Sequence, residues 1–90
     1  MSAESRTDPK NFKPGLHQHY KGKLYIALFL GHHHEDRRLM VAYRSLEDGS
    51  YNFREWSTPG EDSWTDLVKV PTTRVGGITY EEVPRFKPLT

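Results

Sequence analysis

The hydrophobic positions of the chain form short runs separated by polar turns, which is typical of an all-β domain. Leu24–Leu30 is apolar throughout and too short for a typical helix, so we predict a strand buried on both faces. Leu39–Arg44 is predicted to be the next strand, with Leu39, Val41 and Tyr43 on one face. Because only a short charged loop separates the two runs, we expect them to pair as an antiparallel hairpin.

Turn signals divide the second half of the chain at similar intervals. Asp48-Gly49 favours a tight turn, and the alternating residues Tyr51–Trp56 predict a third strand after it. Trp64–Leu67 is predicted to form one turn of helix capped by Ser63. Further short strands are predicted around a Gly-Gly turn, at Val68–Val70, Ile78–Tyr80 and Val83–Phe86. About five short strands at this spacing predict a small β-barrel.

Length and composition indicate how the chain is divided and where the protein is expected to act. We expect residues 1–13, which are polar, to be a disordered tail, and residues 14–90 to form one domain with a modest core. The chain has no cysteine, which excludes disulfides and thiolate metal sites. No segment is apolar enough to cross a membrane and no signal peptide is evident, so we expect a cytoplasmic protein without membrane contacts.

Charge is unevenly distributed, although the formal net charge is only +1. Residues 1–46 contain eight basic and four acidic residues, whereas residues 47–90 contain five and eight. This asymmetry is compatible with one basic face on the folded domain.

A set of short motifs is distinctive in combination: Gly15, His19-Tyr20-Lys21-Gly22, Leu24-Tyr25, His33, Glu35, Val41-Ala42-Tyr43-Arg44, Arg54 and Pro84-Arg85-Phe86. On these residues the chain from about Pro14 to Phe86 resembles the domain-of-unknown-function 1653 family, although His17 stands where that family usually has Tyr. The resemblance implies a small Src-homology-3-like β-barrel. It implies no established activity.

The histidines are the candidates for a metal site or for acid–base chemistry. His17 and His19 share one face of a strand, and His33 and Glu35 share a face if their loop is extended. No spacing among them is diagnostic of a metal, and no activated nucleophile accompanies them, so we predict no metal site and no cofactor. A small enzyme or metal site built on His19, His33 and Glu35 stays open as the alternative.

Aromatic residues are assigned to the core or to the surface by their positions on the predicted strands. Tyr43 and Phe53 are expected in the core, with Trp64 over it and Phe86 closing it. Trp56 is a candidate exposed anchor. We expect Arg85 to pair with an acidic residue such as Glu35 or Glu82.

Basic and aromatic residues interleave in the motif segments, and small barrels use such surfaces to bind strands or peptides. We therefore predict a non-enzymatic binding module, assumed to be a monomer, whose partner is an anionic ligand such as single-stranded nucleic acid or an acidic peptide. Tyr20, Lys21, Arg44 and Arg54 are expected to share one face beside His19. The predicted ligand-binding residues are His19, Tyr20, Lys21, Tyr25, His33, Glu35, Arg44 and Arg54.

Overall fold

The computed structural model of the chain describes residues 6–89 and shows an all-β protein. Within this range it has seven strands and no α-helix. The strands are β1 (Gly15–His19), β2 (Leu24–His32), β3 (Leu39–Ser45), β4 (Tyr51–Glu55), β5 (Leu67–Arg74), β6 (Gly77–Pro84) and β7 (Phe86–Pro88). None of the helical segments in the described part of the chain has the length and apolar character needed to span a bilayer.

Five strands form one antiparallel sheet in the order β4-β3-β2-β1-β7, and β5 and β6 form a separate hairpin. The predicted hairpin of β2 and β3 is confirmed. A closed barrel is not confirmed, because the edge strands β4 and β7 do not pair with each other within residues 6–89. The predicted helical turn at Trp64 is a simple turn, and the chain after it is extended.

The core lies on one face of the five-stranded sheet and is mainly aromatic. Trp64 and Phe86 stack with ring centroids 3.8 Å apart, and Tyr43 packs against both. Val41 and Ala27 complete this buried layer from the sheet. The core positions predicted for Tyr43, Trp64 and Phe86 are therefore confirmed.

The predicted degree of burial is wrong for two aromatic residues, Phe53 and Trp56. Phe53 is 66% exposed, because the alternate residues of β4, including Arg54, turn towards the core instead. Trp56 was a candidate exposed anchor and is buried.

The prediction that β2 is buried on both faces is also wrong. Ala27 is its only fully buried residue, and Phe29 and Leu24 are exposed. The register between β2 and β3 shifts between Ala27 and Phe29, which indicates a β-bulge that changes the side facing the core.

Part of the predicted tail packs on the domain. Pro9–Asn11 form a 3-10 turn, and the Asp8 carboxylate accepts a hydrogen bond from the Lys10 amide. The Trp56 indole donates a hydrogen bond to the Thr7 carbonyl at 2.7 Å, and the Phe12 ring contacts Trp56 edge to face. Residues 1–5 lie outside the described residues. The mobility of residues 1–13 stays a prediction.

Candidate functional site: the His19–Tyr20 corner

The turn between β1 and β2 places His19 and Tyr20 at one corner of the sheet. The His19 amide donates to the Lys23 carbonyl, and the Gly22 amide donates to the His19 carbonyl. Gly22 has a φ of 106°, a conformation that side chains with a Cβ rarely adopt, and this glycine therefore allows the chain to reverse here. The turn leaves Lys21 exposed and Tyr20 half-buried.

The His19 ring lies among aromatic side chains. Its centroid is 4.6 Å from that of Tyr20 and 5.0 Å from that of Phe86, and Tyr25 is further away at 6.4 Å. The His19 Nδ1 atom accepts a hydrogen bond from the Lys21 amide, so the neutral ring carries its proton on Nε2. Tyr25 packs mainly into the core, against Tyr43 and Phe86.

Three cations surround this aromatic group. The guanidinium of Arg54 lies 5.3 Å from the Phe86 ring centroid, and that of Arg85 lies 6.0 Å from the Tyr20 centroid. The Lys21 ammonium is 5.8 Å from the Tyr20 centroid. Partial burial, followed by repulsion from Arg54, Arg85 and Lys21, lowers the pKa of His19. The imidazole is therefore neutral at pH 7, and the positive charge of the corner comes from its arginines and lysine.

Arg85 is held in place by the loop before β5. Its Nη2 atom lies 3.5 Å from an Asp62 oxygen and 3.6 Å from an Asp66 oxygen. The prediction that Arg85 pairs with an acidic residue is thus confirmed. Its partners are Asp62 and Asp66 rather than Glu35 or Glu82. Within residues 6–89 the buried Nε atoms of Arg54 and Arg85 have no hydrogen-bond partner, whereas Arg54 donates from Nη1 to the Asp62 carbonyl. Both arginines therefore have structural roles. Because their guanidinium groups already contact acceptors in the loop before β5, their charge is only partly available to a ligand.

A cavity of about 520 Å³ lies beside this corner, between the turn and the β5–β6 hairpin. His19, Tyr20, Val70, Val83 and Lys87 contribute to its lining. The cavity combines aromatic side chains, aliphatic side chains and a cation, and its size is in the range of small-ligand sites.

Three predicted site residues lie away from this corner: Arg44, His33 and Glu35. Arg44 pairs with Tyr51, and its side chain lies over that exposed ring on the outer face of the sheet. Arg54 pairs with Val41 on the core side. The expectation that Arg44 and Arg54 share one face is therefore wrong.

His33 and Glu35 lie in the turn between β2 and β3, far from His19. Gln18, next to His19, pairs with Leu24 at the start of β2, whereas His33 follows the end of that strand. At about 3.3 Å per residue, the nine-residue strand separates these ends by about 26 Å. His33 Nδ1 lies 3.3 Å from an Asp36 oxygen and accepts a bond from the Glu35 amide.

This separation removes the geometric basis for a relay or metal site shared by His19, His33 and Glu35. Among the described residues, no group of three or more His, Asp or Glu side chains is arranged to hold a metal ion.

His17, two residues before His19, is almost fully buried and is reached from outside only through the cavity that it lines. It is 4% exposed, and its ring lies edge-on to Trp64 with centroids 5.2 Å apart. Nδ1 lies 2.9 Å from the Gly15 carbonyl oxygen, which can only accept, so Nδ1 carries the proton. Burial lowers the pKa of His17, and this hydrogen bond opposes the effect.

We expect the free energy of unfolding to decrease as the pH falls below about 6.5. The unfolded chain binds protons at His17 and His19 near the ordinary pKa of 6.5, whereas the folded chain binds them only at lower pH. The contribution of these two histidines to the free energy of unfolding is therefore fully present above pH 6.5. It is lost as the pH falls through their pKa values in the folded chain. Urea unfolding of the parent at pH 7.5 and 5.5 measures this loss.

His17→Phe is the comparison variant for this effect, and it should show a smaller decrease between the two pH values. Hydrogen bonds from Arg38 and Ser50 lower the pKa values of Asp36 and Asp48 below 3.8, so these groups do not titrate in this range. An equal decrease in the variant would show that His17 does not contribute.

Two residues that lie at this corner, Arg85 and Lys87, are absent from the predicted site. Arg85 was assigned only a structural pairing, although its guanidinium also lies over Tyr20. Lys87 reaches the cavity because β7 pairs with β1, with Lys87 opposite Gln18. The motif that contains Arg85 was a usable signal for the first. The pairing of the first and last strands had no local signal.

The sequence profile of the family described as "Protein of unknown function (DUF1653)" matches residues 15–88. The chain therefore belongs to this family. No curated protein and no solved structure matches it.

Proposed function

We propose that this protein is a non-enzymatic binding module for single-stranded nucleic acid, with its site at the His19–Tyr20 corner. The observation that carries the proposal is the enclosure of two adjacent rings, His19 and Tyr20, by the cations Lys21, Arg54 and Arg85. Rings that stack on bases, with cations that contact phosphates, are the recurrent elements of sequence-tolerant single-strand binding.

Lys21 and Lys87 are the proposed phosphate contacts. Neither forms an ion pair within residues 6–89, whereas Arg85 is already paired with two aspartates. Lys21 lies in the turn next to Tyr20, and Lys87 lines the cavity beside it. The two ammonium groups thus flank a surface on which a base can stack.

Nucleic acid is favoured over an acidic peptide by the nature of the cavity lining. The aromatic and aliphatic side chains of Tyr20, His19, Val70 and Val83 line the cavity, and such a lining suits a planar base. A peptide of acidic residues has no planar ring to place against this lining, although its carboxylates would compete for the same cations. Binding of acidic peptides is therefore an outcome of the test below rather than the proposal.

We also infer that the five-stranded sheet is an open form of the Src-homology-3-like barrel implied by the resemblance. The support is that Arg54 of β4 reaches the Phe86 ring of β7, although these strands are the two edges of the sheet. The turn after β4 bridges this gap, since the Trp64 amide donates to the Glu55 carbonyl and the Arg85 amide donates to the Asp66 carbonyl. A monomeric, cytoplasmic protein without membrane contacts belongs to the same proposal.

Replacing Lys21 and Lys87 together with Ala should weaken binding to an oligothymidylate and reduce its dependence on salt. Each lost phosphate contact lowers the slope of log K against log salt by about 0.7 for a single strand, so the double variant should lose about 1.4. Both side chains are exposed, and stability should change by no more than about 1 kcal/mol. Fluorescence anisotropy at several salt concentrations measures the slope.

The matched control is the double variant Lys10→Ala, Lys69→Ala, which removes the same charge from exposed positions outside the corner. It should keep most of the parental slope. Equal slopes in the two double variants would contradict the proposed site, because only net charge would then matter. Binding of a polyglutamate peptide as tightly as the oligothymidylate would contradict the choice of nucleic acid.

A further inference from the structure

A second cavity, of about 340 Å³, lies next to the first, and four of its eleven lining residues carry aromatic rings. Pro84 lines both cavities, so they are neighbours on the surface. The walls of the second cavity include Trp56, Trp64, Phe86 and His17.

The aromatic walls are held in place by the core. Trp64 is stacked on Phe86 with an interplanar angle of 6°, and the indole of Trp56 is fixed by its hydrogen bond to Thr7 and its contact with Phe12. A preformed cavity with such walls suits a planar ring and loses little entropy when it binds one.

His17 lines this cavity and has one ring nitrogen available as a hydrogen-bond acceptor. Since Nδ1 donates to the Gly15 carbonyl, the unprotonated atom of the neutral ring is Nε2. Burial favours this neutral form by lowering the pKa of His17. A ligand that satisfies Nε2 must bring an N–H or O–H donor.

Two cations stand at the border of the cavity. Lys13 is exposed, and Arg6 lines the same cavity while it donates a hydrogen bond to the Thr65 carbonyl. An anionic substituent on the ring would therefore meet positive charge where it leaves the aromatic walls.

We propose that this second cavity binds a single nucleotide, with the base against its aromatic lining, a base N–H donating to His17 Nε2, and the phosphate at Lys13 and Arg6. The inference rests on the proposed function, because a strand that crosses the His19–Tyr20 corner passes the neighbouring cavity and can place one base in it. The site is a base pocket that adds affinity to the sequence-tolerant corner.

The test is a titration of the full chain with thymidine 5′-monophosphate, followed by tryptophan fluorescence. Trp56 and Trp64 are the only tryptophans, and both line the cavity, so a bound base should quench the signal saturably. His17→Phe removes the acceptor and keeps a ring of similar shape, and it should weaken binding about tenfold. Near-ultraviolet circular dichroism checks that this variant is folded.

Lys13→Ala provides a second variant that does not disturb the core, because Lys13 is exposed. It should weaken binding of the monophosphate about two- to fivefold and leave binding of thymidine unchanged. Lys10→Ala is its matched control and should behave as the parent does. The Lys21→Ala, Lys87→Ala variant should bind the monophosphate within about twofold of the parent.

Failure of this inference can be separated from failure of the proposed function. If the monophosphate causes no quenching up to millimolar concentration while the oligothymidylate still binds through Lys21 and Lys87, the base pocket is wrong and the corner stands. If the monophosphate binds through His17 but the oligothymidylate gains nothing from the corner, the pocket stands and the strand-binding proposal is wrong. Equal affinity of folded His17→Phe and the parent, or equal affinity for 4-hydroxyphenylacetate and the monophosphate, would overturn the nucleotide assignment.

Discussion

Replacing Trp64 with Ala should lower the free energy of unfolding by about 3–5 kcal/mol, the usual range for a large aromatic side chain removed from a core. Trp64 is 5% exposed, stacks on Phe86 at 3.8 Å and also contacts Tyr43 and His17. A domain of this size has a total stability of about 5–15 kcal/mol, so the variant should be close to unfolding. Urea denaturation followed by circular dichroism measures the change.

Phe53→Ala is the matched control for this prediction. Phe53 is an aromatic residue of the same sheet, but it is 66% exposed, so its removal should change stability by about 0.5 kcal/mol or less. A larger loss for Phe53→Ala than for Trp64→Ala would show that the sheet buries its opposite face.

Asp66→Ala should lower the free energy of unfolding by about 1–3 kcal/mol, because it leaves a buried donor without an acceptor. The Asp66 carboxylate accepts a hydrogen bond from the Ser63 amide at 2.9 Å, and Ser63 is fully buried. The same carboxylate pairs with Arg85, which lies against Tyr20, so the loss should also disturb the corner. Urea denaturation gives the first effect, and the Tyr20 amide resonance reports the second.

The variant Asp66→Asn separates these two contributions. It keeps an oxygen for the Ser63 amide and removes the charge opposite Arg85, so it should lose less than half as much stability as Asp66→Ala. Equal losses in the two variants would mean that the ion pair with Arg85, rather than the hydrogen bond to Ser63, stabilises this loop.

The alternating pattern of β4 predicted a strand, but it could not show which face of the strand is buried. Tyr51 and Phe53 form the more apolar face and yet are exposed, while Arg54 turns inward. Arg54 is accommodated because its guanidinium lies over the Phe86 ring and donates to the Asp62 carbonyl. Phe86 is distant in sequence and Asp62 lies beyond the next turn, so the alternating pattern of β4 does not contain this information.

Similar long-range contacts explain the other differences between expectation and structure. Trp56 is buried because residues of the predicted tail, Thr7 and Phe12, cover it, although the tail composition is polar. The corner itself was predictable in part, since His19, Tyr20 and Lys21 are adjacent in the chain. Lys87 was not, because only the pairing of β7 with β1 brings it there.

We propose that the His19–Tyr20 corner binds a single strand of nucleic acid. The most direct measurement is a titration of the ¹⁵N-labelled chain with an oligothymidylate of about ten nucleotides, a length in the range of small single-strand sites. We expect the amide resonances of Tyr20, Lys21 and Lys87 to shift together and saturate, while those of the β2–β3 turn at His33 and Glu35 stay in place. Shifts confined to that turn or to Arg44, or no shift at millimolar strand, would contradict the claim.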